Sequence, residues 1–111
     1  RSCDVPLGLP FNVTQYSFLL YLLAKITGLE PGKINYSIED AHIYVNQIEG
    51  IKEQLQRREE IEKGLREDYK APELILDENI KSIDDVDDKN VTNVKVLNYK
   101  HHGPIKFPLA Q

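Results

Sequence analysis

The chain has 111 residues, 41% of them apolar, with 14 Lys plus Arg against 18 Asp plus Glu and a net charge of -4. That length suits one domain, or part of one, with a modest core. The acidic balance argues against a nucleic-acid partner, because neutralising phosphates takes a basic surface. The single cysteine, Cys3, excludes an internal disulfide, and the run from Ser17 to Ala24 is too short for the roughly 18–20 apolar residues that span a bilayer.

Residues 1–9 read as an extended segment ending in a turn, and Pro10 suits the first turn of a helix, where its missing N–H matters little. Residues 10–27 are apolar almost all round, from Phe11 and Val13 through Leu22 and Leu23 to Ile26. A helix without a polar face is expected to be buried. Gly28 is placed to cap it.

Loose alternation across residues 33–44 (Ile34, Tyr36, Ile38, then Ala41 and Ile43) predicts a strand interrupted near Glu39-Asp40. From Val45 the apolar period becomes helical, through Ile48, Ile51 and Leu55. The highly charged residues 57–70 extend that helix on a solvated face until Ala71-Pro72 stops it. Residues 73–76 predict a short strand, 82–89 a helical turn or a loop, and 91–99 a strand. The tail from His101 contains two prolines and reads as irregular. The fold class is α+β, with one long buried helix packed on a mixed sheet.

Two clusters carry chemistry. In the first, residues 1–12, Arg1 and Ser2 set a forked cation beside a hydroxyl, which together can hold a phosphate. Gly8 lets a flat ligand approach the backbone, and Asn12 offers the acceptor and donors that read a base edge. The plainer reading of Arg1-Ser2 is a frayed terminus. In the second, His42 and Tyr44 are two residues apart, so on a strand they share a face. They could bind one sugar hydroxyl together, or simply satisfy each other. His101 and His102 are adjacent and face apart, no Cys/His ligand spacing occurs, and no metal is expected.

The run Arg1-Ser2-Cys3-Asp4, then Leu7-Gly8, then Pro10-Phe11-Asn12, is similar to the thymidylate synthase motif R-S-x-D-x-x-L-G-x-P-F-N. Asp40-Ala41-His42-Ile43-Tyr44 with Asn46 resembles that family's G-D-x-H-x-Y-x-N segment. Ala71-Pro72-Glu73-Leu74 and the end Ile105-Lys106-Phe107-Pro108-Leu109-Ala110-Gln111 resemble its C-terminal portion. The resemblance spans nearly the whole chain, residues 1–111 forming a partial thymidylate synthase domain with about residues 58–70 as a charged surface insertion.

The resemblance implies a cytoplasmic homodimer that converts dUMP to dTMP with 5,10-methylenetetrahydrofolate as co-substrate and no metal. Arg1 and Ser2 would bind the dUMP phosphate, Asn12 the uracil amide edge, and His42 and Tyr44 the deoxyribose 3′-hydroxyl. Asp4 would bond the pterin of the reduced folate, Leu7, Gly8 and Phe11 would wall that site, and Ala110 with the terminal carboxylate would close over it. In the family the nucleophilic cysteine lies upstream of R-S-x-D, so no catalytic residue is assigned here. Cys3 holds the variable position of that motif. The chain contains no Met, a sign of a fragment that removal of an initiator Met explains equally. An N-terminal part is therefore an expected partner, and the chain alone is expected to be inactive.

Glu39 stands where the family usually has Gly, and would strain the backbone if that position takes positive φ. Asn12 favours uracil over cytosine, whose exocyclic amine suits a carboxylate. The alternatives are a dUMP or dCMP hydroxymethylase of the same superfamily, and a non-catalytic fragment or split-enzyme subunit.

Overall fold

In the computed structural model, which describes residues 2–109, strand β1 (Ser2–Asp4) passes through a turn at residues 5–7 into helix α1 (Gly8–Thr27). Pro10 falls in the first turn, as its missing donor requires. Gly28 ends the helix at φ 68. There Gly28 N–H donates to the Lys25 carbonyl (3.4 Å) and Leu29 N–H to the Ala24 carbonyl (2.9 Å), two bonds that satisfy carbonyls the helix leaves open.

The described residues fall into two units, one of residues 2–13, 36–69 and 101–109 and the other of residues 14–35 and 70–100. Along α1 only Leu22 and Ala24 are buried. Phe11, Val13, Tyr16, Leu19, Tyr21 and Leu23 remain exposed. The expectation of a helix covered all round is therefore met at two positions of this chain and not along its length.

In the first unit, strand β2 (Asp40–His42) pairs in parallel with β1, in the register Ser2↔Asp40, Cys3↔Ala41, Asp4↔His42. Residues 29–38 are irregular, so the predicted strand over 33–44 shrinks to these three residues. Alternation makes a strand only where a neighbour completes the ladder, and β1 offers three residues. A 3₁₀ turn (Val45–Gln47) leads into helix α2 (Ile48–Glu62).

The predicted run of α2 to Lys70 is also corrected. Gly64 stops the helix at φ 72, with Leu65 N–H on the Glu60 carbonyl (2.8 Å) and Gly64 N–H on that of Ile61 (3.0 Å). Only glycine adopts this left-handed cap without penalty. On α2, Arg58 pairs with Glu62 at i,i+4, a solvent-facing contact of a few tenths of a kcal/mol.

In the second unit, strands β3 (Glu73–Ile75) and β4 (Lys95–Leu97) pair antiparallel, with Leu74 opposite Val96. The predicted strand over 91–99 is shortened because Asp87 caps a short helix, α3 (Asp88–Thr92), accepting from Lys89 N–H (2.9 Å) and Asn90 N–H (2.8 Å). A 3₁₀ turn (Ile83–Asp85) precedes it. The class is α+β, with one parallel and one antiparallel two-stranded ladder among the described residues. No helix among them is long and apolar enough to cross a membrane.

Asp77 is buried in this unit beside Ile80. Asn93 Nδ2 donates to it at 2.6 Å and Asn79 N–H at 2.7 Å. These bonds, that of Asn93 foremost, hold its carboxyl below the usual carboxylate value. Lys81 N–H, Ser82 N–H and the Ser82 hydroxyl act likewise on Asp85.

The folded values lie below the unfolded ones. The stability these groups contribute is therefore complete above the ordinary carboxylate range, near about pH 4, and is lost as pH falls through the folded values. Asn93→Ala is expected to raise the Asp77 titration toward its ordinary value and make the acid dependence of unfolding shallower. A carboxyl ¹³C NMR titration, run alongside acid unfolding, checks this; an unmoved Asp77 midpoint refutes it.

Candidate functional site

The β1–β2 ladder brings the two sequence clusters together. Asp4 lies opposite His42 in register, and Val5 N–H donates to the His42 carbonyl at 3.0 Å, prolonging the contact past the strand ends. His42 is half-buried and Tyr44 exposed. Their rings meet edge to face with centroids 5.0 Å apart and planes at 77°, a favourable aromatic geometry. His42 Nδ1 lies 3.3 Å from the Asp40 carbonyl oxygen and 3.6 Å from its carboxylate. A proton on Nδ1 bonded there leaves Nε2 as an acceptor.

Ser2 is exposed at the start of β1. The assigned Arg1 and Ala110 lie outside the described residues. The Cys3 side chain is buried, its Sγ 3.9 Å from the Asp4 carbonyl. Leu7 and Asn12 are half-buried where the turn enters α1, and Phe11 is 72% exposed. A Cβ added to Gly8 would meet only Asp4 Cβ, at an ordinary 3.7 Å. Packing within the chain therefore does not require glycine there. Glu39 escapes the expected strain, since Asn98 is the only non-glycine residue with positive φ among the described residues.

Asp4 is held by several hydrogen bonds. Its Oδ1 accepts from Leu7 N–H at 3.1 Å, which forms the turn into α1. Gln47 Nε2 donates to both carboxylate oxygens, at 3.2 and 3.0 Å. Gln47 itself is fully buried. Its Oε1 accepts from Tyr44 N–H at 3.0 Å, and its Nε2 also reaches the Pro108 carbonyl at 3.3 Å. The reverse amide orientation would face Oε1 with a carboxylate and a carbonyl, so the bonding pattern fixes the assignment.

The tail lies along the first unit at further points. Arg57 Nη1 donates to the Gly103 carbonyl at 2.8 Å. The Phe107 ring covers Gly50, where an added Cβ would sit 2.5 Å from Cε1. His102 stacks on Tyr69 with centroids 4.5 Å apart.

Sequence reasoning missed Gln47, Gly50 and Arg57. The available signals were a glutamine where the apolar period of a helix begins and a glycine inside that helix. Among the described residues no group of three or more His, Cys, Asp or Glu is placed to hold a metal.

A family model described as Thymidylate synthase matches residues 1–111. The chain is 42% identical over 112 aligned residues to a thymidylate synthase of Shewanella frigidimarina, covering 99% of this chain and 36% of that protein. It is 40% identical to one from Clostridium beijerinckii, covering 99% of this chain and 38% of the relative. Among solved structures it is similar to the thermostable thymidylate synthase A of Bacillus subtilis, at TM-score 0.78 and 35% identity, over 98% of this chain and 35% of that one. The chain thus spans little more than a third of the length of these relatives.

Proposed function

The chain belongs to the thymidylate synthase family, and from that premise we propose that it supplies part of a site at which dUMP is converted to dTMP. The observation that carries the reading is the parallel register that sets Asp4 opposite His42, joining the two motifs at one place. Arg1 and Ser2 hold the phosphate, Asn12 reads the uracil edge, and His42 with Tyr44 binds the 3′-hydroxyl. Asp4 takes the pterin of a reduced folate, walled by Leu7, Gly8 and Phe11 and closed over by Ala110.

The folate assignment fits the observed donor and acceptor count. Two carboxylate oxygens offer about four acceptor sites, and the three contacts from Leu7 and Gln47 leave Asp4 room for a ligand donor. Bound methylenetetrahydrofolate would supply the one-carbon unit and the hydride. The nucleophile is a thiolate that adds to C6 of the pyrimidine and makes C5 nucleophilic. Buried Cys3 does not fit that part, so the thiolate comes from sequence beyond these residues, and the chain alone does not turn over. The same reading makes the assembly a cytoplasmic homodimer, with about residues 58–70 as a surface insertion.

The test is an NMR titration of the polypeptide encoded by its own gene with dUMP and, separately, dCMP, following His42, Tyr44 and Asn12. Selective shifts with dUMP support the reading. Selective shifts with dCMP transfer it to a pyrimidine hydroxymethylase, and silence with both removes the nucleotide site.

Tyr44→Phe is expected to weaken dUMP up to about tenfold, the worth of one lost hydrogen bond. A dUMP analogue lacking the 3′-hydroxyl should bind both proteins alike. Calorimetry with the two nucleotides checks this, and an equal loss with both would show that Tyr44 does not bond the 3′-hydroxyl.

A further inference from the structure

We propose that Gln47 is a positioning residue that holds the Asp4 carboxylate and the tail at Pro108 in one arrangement for the reduced folate. This rests on the folate reading of Asp4. Gln47 stands where β2 gives way to α2, wholly buried, with each of its polar atoms bonded. One amide nitrogen serves both the carboxylate from β1 and a carbonyl of the tail.

The turn at Asp4 already has the Leu7 N–H bond, so closing it does not require a buried amide. What the amide adds is a choice of carboxylate rotamer and a choice of which lone pairs stay open. A ligand that binds Asp4 then meets a preset acceptor, and the ordering cost of that group is met before binding. The Pro108 bond ties the tail to the same donor group, so the tail and the acceptor are placed together.

The chemistry of the amide allows a specific test. In Gln47→Leu the donor is lost. In Gln47→Glu an ionised carboxylate faces Asp4 at hydrogen-bonding distance, and such a pair shares a proton as pH falls. Protonation restores an O–H donor toward Asp4.

The experiment measures KM for methylenetetrahydrofolate and Kd for dUMP in the gene-encoded polypeptide and both variants, between about pH 5 and 8. The expected result is a folate KM raised about tenfold in Gln47→Leu at every pH. In Gln47→Glu the rise is greatest at the alkaline end and recedes toward the acid end. At each pH the dUMP Kd of both variants stays within about twofold of the parent's.

A merely structural role would weaken both ligands together and give no pH reversal, and that result overturns the proposal, as does a folate KM unchanged in both variants. If Gln47→Leu fails to fold in thermal unfolding, the pH reversal within Gln47→Glu decides alone. A parent protein that shows no interaction with reduced folate overturns the folate reading and this role with it. A folate-binding parent matched by its Gln47 variants overturns only the role of Gln47.

Discussion

Replacing Asn12 by Asp is expected to turn the base preference of the encoded polypeptide from dUMP toward dCMP. Asn12 stands in the first turns of α1, half-buried, beside the turn that Asp4 holds. An amide presents one acceptor and two donors, matching a uracil edge with its N–H and its carbonyl. A carboxylate accepts only, which suits the exocyclic amine of cytosine and repels a carbonyl oxygen. Sites built on such bonds discriminate strongly, because a mismatched base leaves buried polar groups unpaired. The ratio of kcat/KM for the two nucleotides should move by a hundredfold or more, on the order expected for such a mismatch. The ratio is measured by competition between dUMP and dCMP. A preference that stays with dUMP would remove Asn12 from the base edge.

The second large effect is expected at Gly50, where two terms of opposite sign compete. Alanine inside a helix is favoured over glycine by about 1 kcal/mol, so Gly50→Ala alone should strengthen α2. Yet the new methyl would lie 2.5 Å from Phe107 Cε1, 3.0 Å from Cδ1 and 3.2 Å from Cζ. Overpacking of that kind costs about 1–3 kcal/mol unless the neighbour moves. The ring belongs to the tail, which can give way more easily than a helix backbone.

The expected result is therefore a protein that unfolds at nearly the parent temperature but has lost the seat of Phe107. The neighbouring Pro108–Gln47 bond is lost with it. The folate KM should rise about tenfold, and the tail should be cut faster by carboxypeptidase. Thermal unfolding and digestion of the same preparation check this. Unchanged digestion together with unchanged KM would show that the tail tolerates the methyl.

The legible parts of this molecule were those encoded locally. The apolar run and Gly28 marked α1 and its end, and the structure follows them to the residue at Thr27. The motifs around Asp4 and His42 identified the family, because their residue types and spacing are specific in themselves. Two local signals compete at the end of α2. There the charge run continues past the helix while Gly64 marks its stop, because glycine takes the left-handed cap at the least steric cost. Alternation over residues 33–38 and 91–94 misled, since a strand is a property of a pair and not of a segment.

The family, the α+β class, and the long helix with its stop at Gly28 were all legible in the chain of residues. Those follow from residue type and short-range spacing. The tertiary structure alone decided that β1 and β2 run parallel in the register that sets Asp4 against His42. It also decided that a buried glutamine joins Asp4 to Pro108 and that Phe107 occupies the space over Gly50. Asp4 and Gln47 stand 43 positions apart and Gln47 and Pro108 61 apart. No local period encodes such pairings. They exist because a buried amide must find donors and acceptors wherever the folded chain brings them.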